Sequence, residues 1–150
     1  MKYAYLIKIT VFSYEYENSE IILNAFLWLF QFNFGDNKVI LKKTNATGFN
    51  EKKIKIFEVT LIKNNLMNQF LKNLQNNLEE KQKELILQQV ESRLDKNLDF
   101  FLRFDKHLWI DEKKLVLTDS GKCFHIKISI AAFPKKREIA LNIVRKLFLI

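Results

Sequence analysis

The chain has 150 residues, with 25 Lys and Arg against 17 Asp and Glu, 48% hydrophobic residues, 14 Phe, 3 Gly and 1 Pro. That length predicts one domain over residues 1–150, large enough to bury about 68–70% of its unfolded surface without a disulfide or structural metal. Little Gly and Pro beside many Phe excludes a disordered or collagen-like chain, and the lone Cys123 excludes an internal disulfide and points to a reducing compartment.

Residues 3–14 alternate, with Tyr5, Ile7, Ile9 and Val11 on one face and Lys8 and Thr10 on the other, which predicts a strand covered on one side. Asn18 or Ser19 can cap a following helix, with Glu20 in its first turn. Ile21, Ile22, Ala25, Phe26 and Leu29 recur at helical spacing, thickened by Leu23, Leu27, Trp28 and Phe30, until Gly35-Asp36-Asn37 supplies a turn. Residues 38–44 and 53–63 read as two strands joined by the loop 45–51. The long helical stretch from Asn65 to about Leu94 carries two apolar stripes, and the Asn77-x-x-Glu80 spacing predicts a break and a new cap near residue 77.

Leu98, Phe100, Leu102 and Phe104 alternate with Asp99, Phe101, Arg103 and Asp105, giving another half-buried strand. A short strand is expected at 115–117. Beyond the Asp119-Ser120-Gly121 turn, Phe124, Ile126, Ile128 and Ile130 oppose Cys123, His125, Lys127 and Ser129. Pro134 suits the first residue of a C-terminal helix whose apolar positions are Ile139, Ala140, Ile143, Val144, Leu147 and Phe148. The order β-α-β-β-α-α-β-(β)-β-α predicts an α+β fold, a mainly antiparallel sheet with helices packed on one face.

No leader pattern opens the chain, and the most apolar stretch, 21–34, is too short for a span of ~20 residues and holds Asn24, Gln31 and Asn33. A cytoplasmic protein without membrane attachment is the expectation. The net charge of +8 is uneven: residues 113–150 hold 9 basic and 2 acidic side chains, whereas residues 64–112 hold 7 and 9. Such asymmetry favours an anionic partner more than uniform basicity would, the alternative being a solvated, Lys-rich surface.

The segment Leu102-Arg103-Phe104-Asp105-Lys106-His107, followed by a turn, a strand and a helix, resembles an archaeal family of predicted RNA-binding proteins, some of them described as exosome-associated subunits. Members carry Arg-Leu-Asp-Lys-Gln at this place. Arg103, Asp105 and Lys106 match it, while Phe104 replaces Leu and His107 replaces Gln. Of the family's Gly-His-Tyr-Gly-Asn-like loop, this chain keeps Gly48 in Gly48-Phe49-Asn50. The resemblance implies a fold similar to the ribosomal large-subunit protein that binds 5S RNA.

Side chains opposite the apolar sets include Lys8, Thr10, Phe101, Arg103, His125 and Lys127. Cations beside exposed aromatics suit RNA, because phosphates attract Lys and Arg while unpaired bases stack on rings. Phe101 is the first candidate for stacking, with Phe12 and Tyr14 behind it. Lys135, Lys136 and Arg137 open the last helix, where cations oppose the dipole by about 0.3–1 kcal/mol each, so phosphate contact or a solvated surface turn is a better reason for them than helix stability. Lys42 and Lys43 flank the 45–51 loop and extend the basic set, and Lys106 joins it through the matched motif.

Cys123 and His125 fall short of a zinc ligand set, the scattered Asp residues show no paired-metal spacing, and no catalytic or phosphate-loop motif occurs. No metal, cofactor or reaction is therefore expected. Arg103 and Asp105 are expected to pair and fix the strand end. The leading expectation is a non-enzymatic RNA-binding module, acting in RNA processing or ribonucleoprotein assembly. The alternative is a homodimeric interaction or assembly subunit that covers the same sheet face without nucleic acid.

Overall fold

A computed structural model describes residues 1–149. Strand β1 (Ala4–Tyr14) leads through helix α1 (Ser19–Leu27) to the hairpin β2 (Lys42–Thr47) and β3 (Lys53–Leu61). Helices α2 (Asn64–Asn77), α3 (Glu80–Gln88) and α4 (Val90–Arg93) follow, then β4 (Asp99–Asp105), α5 (Lys106–Glu112), β5 (Cys123–Ile130) and α6 (Arg137–Leu147). The five strands form one sheet in the order β2-β3-β1-β5-β4, and every neighbouring pair is antiparallel. This is the α+β architecture expected from the alternation. β2 and β4 lie at the two edges.

Period-two patterning decides which face is covered. Ile7, Ile9 and Val11 of β1, Phe57, Val59 and Leu61 of β3, Phe100, Leu102 and Phe104 of β4, and Phe124, Ile126 and Ile128 of β5 are all buried. Phe26 of α1, Phe70 of α2 and Val144 of α6 close over them in a single apolar cluster. Each large buried side chain is worth about 1.5–3 kcal/mol of burial, so covering this face drives the fold.

Several elements depart from the expected positions. Tyr5 is 49% exposed, because a register shift against β5 between Ala4 and Leu6 puts Ala4 in the buried place. α1 starts as expected, with Asn18 Oδ1 accepting the N–H groups of Glu20 and Ile21, but it stops at Leu27 rather than reaching residue 35. The aromatics beyond it pack better as a loop: Phe30 meets Phe26, Phe34 and Phe70 at centroid distances of 5.5, 5.1 and 5.4 Å. β2 occupies Lys42–Thr47 instead of 38–44, and the turn closes later, with Gly48 N–H donating to Lys52 O at 2.7 Å.

The break after residue 77 is present, but Asn77 does not cap the next helix. It still belongs to α2, so its amide donates back to Asn73 O at 2.8 Å. The expected strand at 115–117 is a single bridge between Leu117 and Phe104. Before it stands α5, capped by Asp105 Oδ1, which accepts Leu108 N–H at 2.9 Å, and anchored by Trp109, whose indole N–H donates to Ala25 O at 2.8 Å. α6 begins at Arg137, leaving Pro134 in the turn ahead of it.

Candidate nucleic-acid interface

Residues directly opposite one another across a sheet share a face, so the register assigns the uncovered side without ambiguity. One cross-strand row runs Lys42, Glu58, Thr10, His125, Arg103. The next runs Thr60, Lys8, Lys127, Phe101. Every side chain in these rows is at least partly exposed, so no helix covers them among the described residues. Five residues expected at the interface, Lys8, Lys42, Phe101, Arg103 and Lys127, thus come together on one open face.

A groove of about 520 Å³ crosses it, lined by Lys8, Phe12, Ile56, Arg103, His125 and Lys127 among others. Its floor is partly apolar and its rim cationic. Lys8 and Lys127 stand opposite each other, a like-charge pairing that costs stability unless it is relieved. Glu58 lies 3.6 Å from Lys8 and Asp99 lies 3.8 Å from Lys127, while Asp99 also accepts the Ser129 hydroxyl at 2.7 Å. Both lysines remain over a third exposed, so these are weak surface pairs that a stronger anion can displace. Arg103 forms no salt bridge among the described residues. The expected Arg103–Asp105 pair is absent because Asp105 serves as the cap of α5.

The field at the groove appears in His125. Burial pushes its pKa below the ordinary imidazole range, and Arg103, Lys8 and Lys127 push it further down. Its ring lies 5.7 Å from that of Phe101. Burial raises the Cys123 thiol, against the opposing pull of Arg103 and Lys106, so it is a poor nucleophile. Among the described residues, no three His, Cys, Asp or Glu side chains cluster as a metal site, and no helix is long and apolar enough to cross a membrane.

Other expected residues lie elsewhere. Lys43 faces the opposite side from Lys42, since it pairs with Phe57 on the covered face. Lys106 is fully buried and cannot meet a nucleic acid: its ammonium donates to Phe12 O at 2.6 Å and to Glu17 Oε1 at 3.0 Å. Arg137 donates to the carbonyls of Glu91 and Leu94 at 2.6 and 3.0 Å, tying α6 to the end of α4. Lys135 and Lys136 are exposed in the turn before α6, a helix of the covered side whose terminal Phe148 packs on Phe100. The C-terminal cations therefore do not merge with the groove.

Two neighbours of the groove escaped the sequence reading. Arg93 flanks it at the β4 edge, held by Gln89 Oε1 at 2.6 and 2.9 Å and donating to Phe101 O at 3.3 Å. Lys122 stands 5.8 Å from the ring of Tyr16. The Phe12, Tyr14, Tyr16 spacing was a visible signal for the rings, whereas nothing local to residue 122 announces a contact with residue 16.

A family model described as RNA binding matches residues 6–130. The chain is 25% identical over 144 residues to RNA-binding protein PAB1135 of Pyrococcus abyssi, covering 95% of this chain and 92% of that one. Protein AF2318 of Archaeoglobus fulgidus, a DUF54 protein solved by crystallography, is 26% identical, with a TM-score of 0.83 over 96% of this chain and 99% of its own. SSO0741 of Sulfolobus solfataricus, likewise a DUF54 protein, is 29% identical, with a TM-score of 0.74 over 95% of this chain and 96% of its own.

Proposed function

The chain belongs to the RNA-binding family, and from that membership we propose that it holds RNA on the open face of its sheet, with Lys8, Lys42, Arg103 and Lys127 neutralising phosphates. One observation carries the reading: a groove walled by cations on three adjacent strands, in which Arg103 has no acidic partner among the described residues. Phosphate is the anion that suits it, since a guanidinium fork binds phosphate oxygens in pairs and lysines add point charge. The Pyrococcus relative's name, RNA-binding protein, supports the same partner.

The module acts without catalysis, gripping the backbone and leaving the RNA chemically unchanged. Such a role suits RNA processing or ribonucleoprotein assembly, including the exosome-associated setting that the sequence resemblance implies. The weak surface pairs of its part-exposed lysines fit reversible binding.

Fluorescence anisotropy with a labelled RNA across a salt series tests this. Four phosphate contacts on a single strand predict a log–log salt slope of about −3. Reversing Lys8, Arg103 and Lys127 to Glu together weakens binding roughly a thousandfold, taking about 1.5 kcal/mol per charge-assisted contact. Failure of the wild type to bind RNA at low salt would overturn the reading.

A further inference from the structure

One end of the groove runs into three aromatic rings that phosphate binding does not need. Phe12 lines the groove and is 40% exposed; Tyr14 follows at a centroid distance of 6.5 Å, edge-on; Tyr16, 70% exposed, stacks on Tyr14 at 5.9 Å with only 4° between planes. Phe49 and Phe133, more exposed still, stack on no other ring among the described residues. Exposed rings of this kind are ordinary when single and unsupported. These three are contiguous, and they are held in place.

The holding group is Lys106. Its buried ammonium sits 4.9 Å from the Tyr14 ring centroid while bonding Phe12 O and Glu17 Oε1. Glu17 Oε1 in turn accepts Tyr14 N–H at 3.1 Å, and Glu17 N–H donates to Tyr14 O at 2.9 Å, closing the turn that carries Tyr16. The rings are thus ordered before any partner arrives, which removes part of the entropy cost of binding. On the outside, Lys122 lies over Tyr16 beside Gly121, itself part of the groove wall.

We propose that Phe12, Tyr14 and Tyr16 form a stacking platform that makes this site select unpaired RNA over duplex. The proposal rests on the RNA-binding reading and names the form of RNA. In an A-form duplex the faces of the bases are stacked on one another, and a ladder of rings at a groove end gains nothing from them. An unpaired strand can lay its phosphates along Arg103, Lys8 and Lys127 while its splayed bases reach Phe12 and Tyr16. A base stacking on Tyr16 displaces the exposed Lys122 from the ring, and its ammonium then meets a phosphate at the far end of the strand's path.

The test compares a labelled single-stranded RNA with the duplex of the same strand by anisotropy, in wild type, Phe12→Ala, Tyr16→Ala and Tyr16→Phe. Both positions are exposed enough that circular dichroism will find the variants folded. The single strand binds at least about tenfold tighter than the duplex, and each alanine variant loses roughly five- to a hundredfold on the single strand alone. Tyr16→Phe, which keeps the ring, binds as wild type does. A 2-aminopurine in the strand is quenched on binding, and the quench is lost in Tyr16→Ala. Equal affinity for duplex, or alanine variants that bind single strands normally, would overturn the platform while a steep salt slope kept the RNA reading alive. A wild type that binds neither form removes both.

Discussion

The open sheet face and the helix layer hold cations of the same kind, put to different uses. On the open face, Lys8, Arg103 and Lys127 end in a groove, and only weak surface pairs with Glu58 and Asp99 restrain the lysines. On the other side of the sheet, Arg137 spends its guanidinium on the carbonyls of Glu91 and Leu94. Lys106 is sealed at the end of β1 by Phe12 and Glu17. A cation with a fixed internal partner supports the fold, and one without is free for a ligand. Count and sign of charge cannot tell the two apart.

Breaking that division at Lys106 should give the largest effect. Lys106→Met leaves Glu17 unpaired where its side chain is only 7% exposed, and removing one member of a buried pair costs about 3–5 kcal/mol. For a chain of this size that lowers Tm by roughly 10 °C. Thermal denaturation measures it, and an unchanged Tm would show that the pair is not an anchor. Arg137→Ala should cost about 1.5 kcal/mol of stability through its lost carbonyl contacts, with RNA affinity at low temperature unaltered. Urea unfolding and an anisotropy titration on the same sample separate the two. If Arg137→Ala instead weakens RNA binding without loss of stability, the two regions share the ligand after all.

The smallest effect is the most local. His125 has its pKa lowered by burial and then by Arg103, Lys8 and Lys127. The unfolded chain takes up that proton more readily, near the ordinary value of about 6.5. Folding stability is therefore full above that value and declines as pH falls from it through the depressed folded pKa. A phosphate in the groove reverses the field, so RNA should raise the His125 pKa and bind more tightly as pH falls through the same window. An NMR titration of the imidazole with and without RNA reads this directly, and an unmoved pKa would place the RNA elsewhere.

The sheet was legible in the sequence because one-sided burial writes itself as alternation. Phe124, Ile126, Ile128 and Ile130 against Cys123, His125, Lys127 and Ser129 name both faces of β5 by alternation alone. The same alternation placed Lys8, Phe101 and Arg103 on the open side. It failed where long-range contacts decide. Lys106 sits 94 residues from Phe12, and no local period marks it as buried. Phe30 left the helical stripe because Phe70, far along the chain, offered a better surface. The Arg103-Phe104-Asp105-Lys106 motif proves to be divided in labour: Arg103 faces the groove, Phe104 fills the core, Asp105 caps α5 and Lys106 locks the β1 turn.

The position of β2 has one more consequence. It ends the sheet, so its outer amides and carbonyls face no neighbouring strand. Lys42 and Lys43 project to opposite sides of that rim. Lysines on both faces of an edge strand discourage a second copy from extending the sheet, because strand addition there must desolvate their ammonium groups. This edge is thus guarded against self-templated growth, even in a chain rich in Phe.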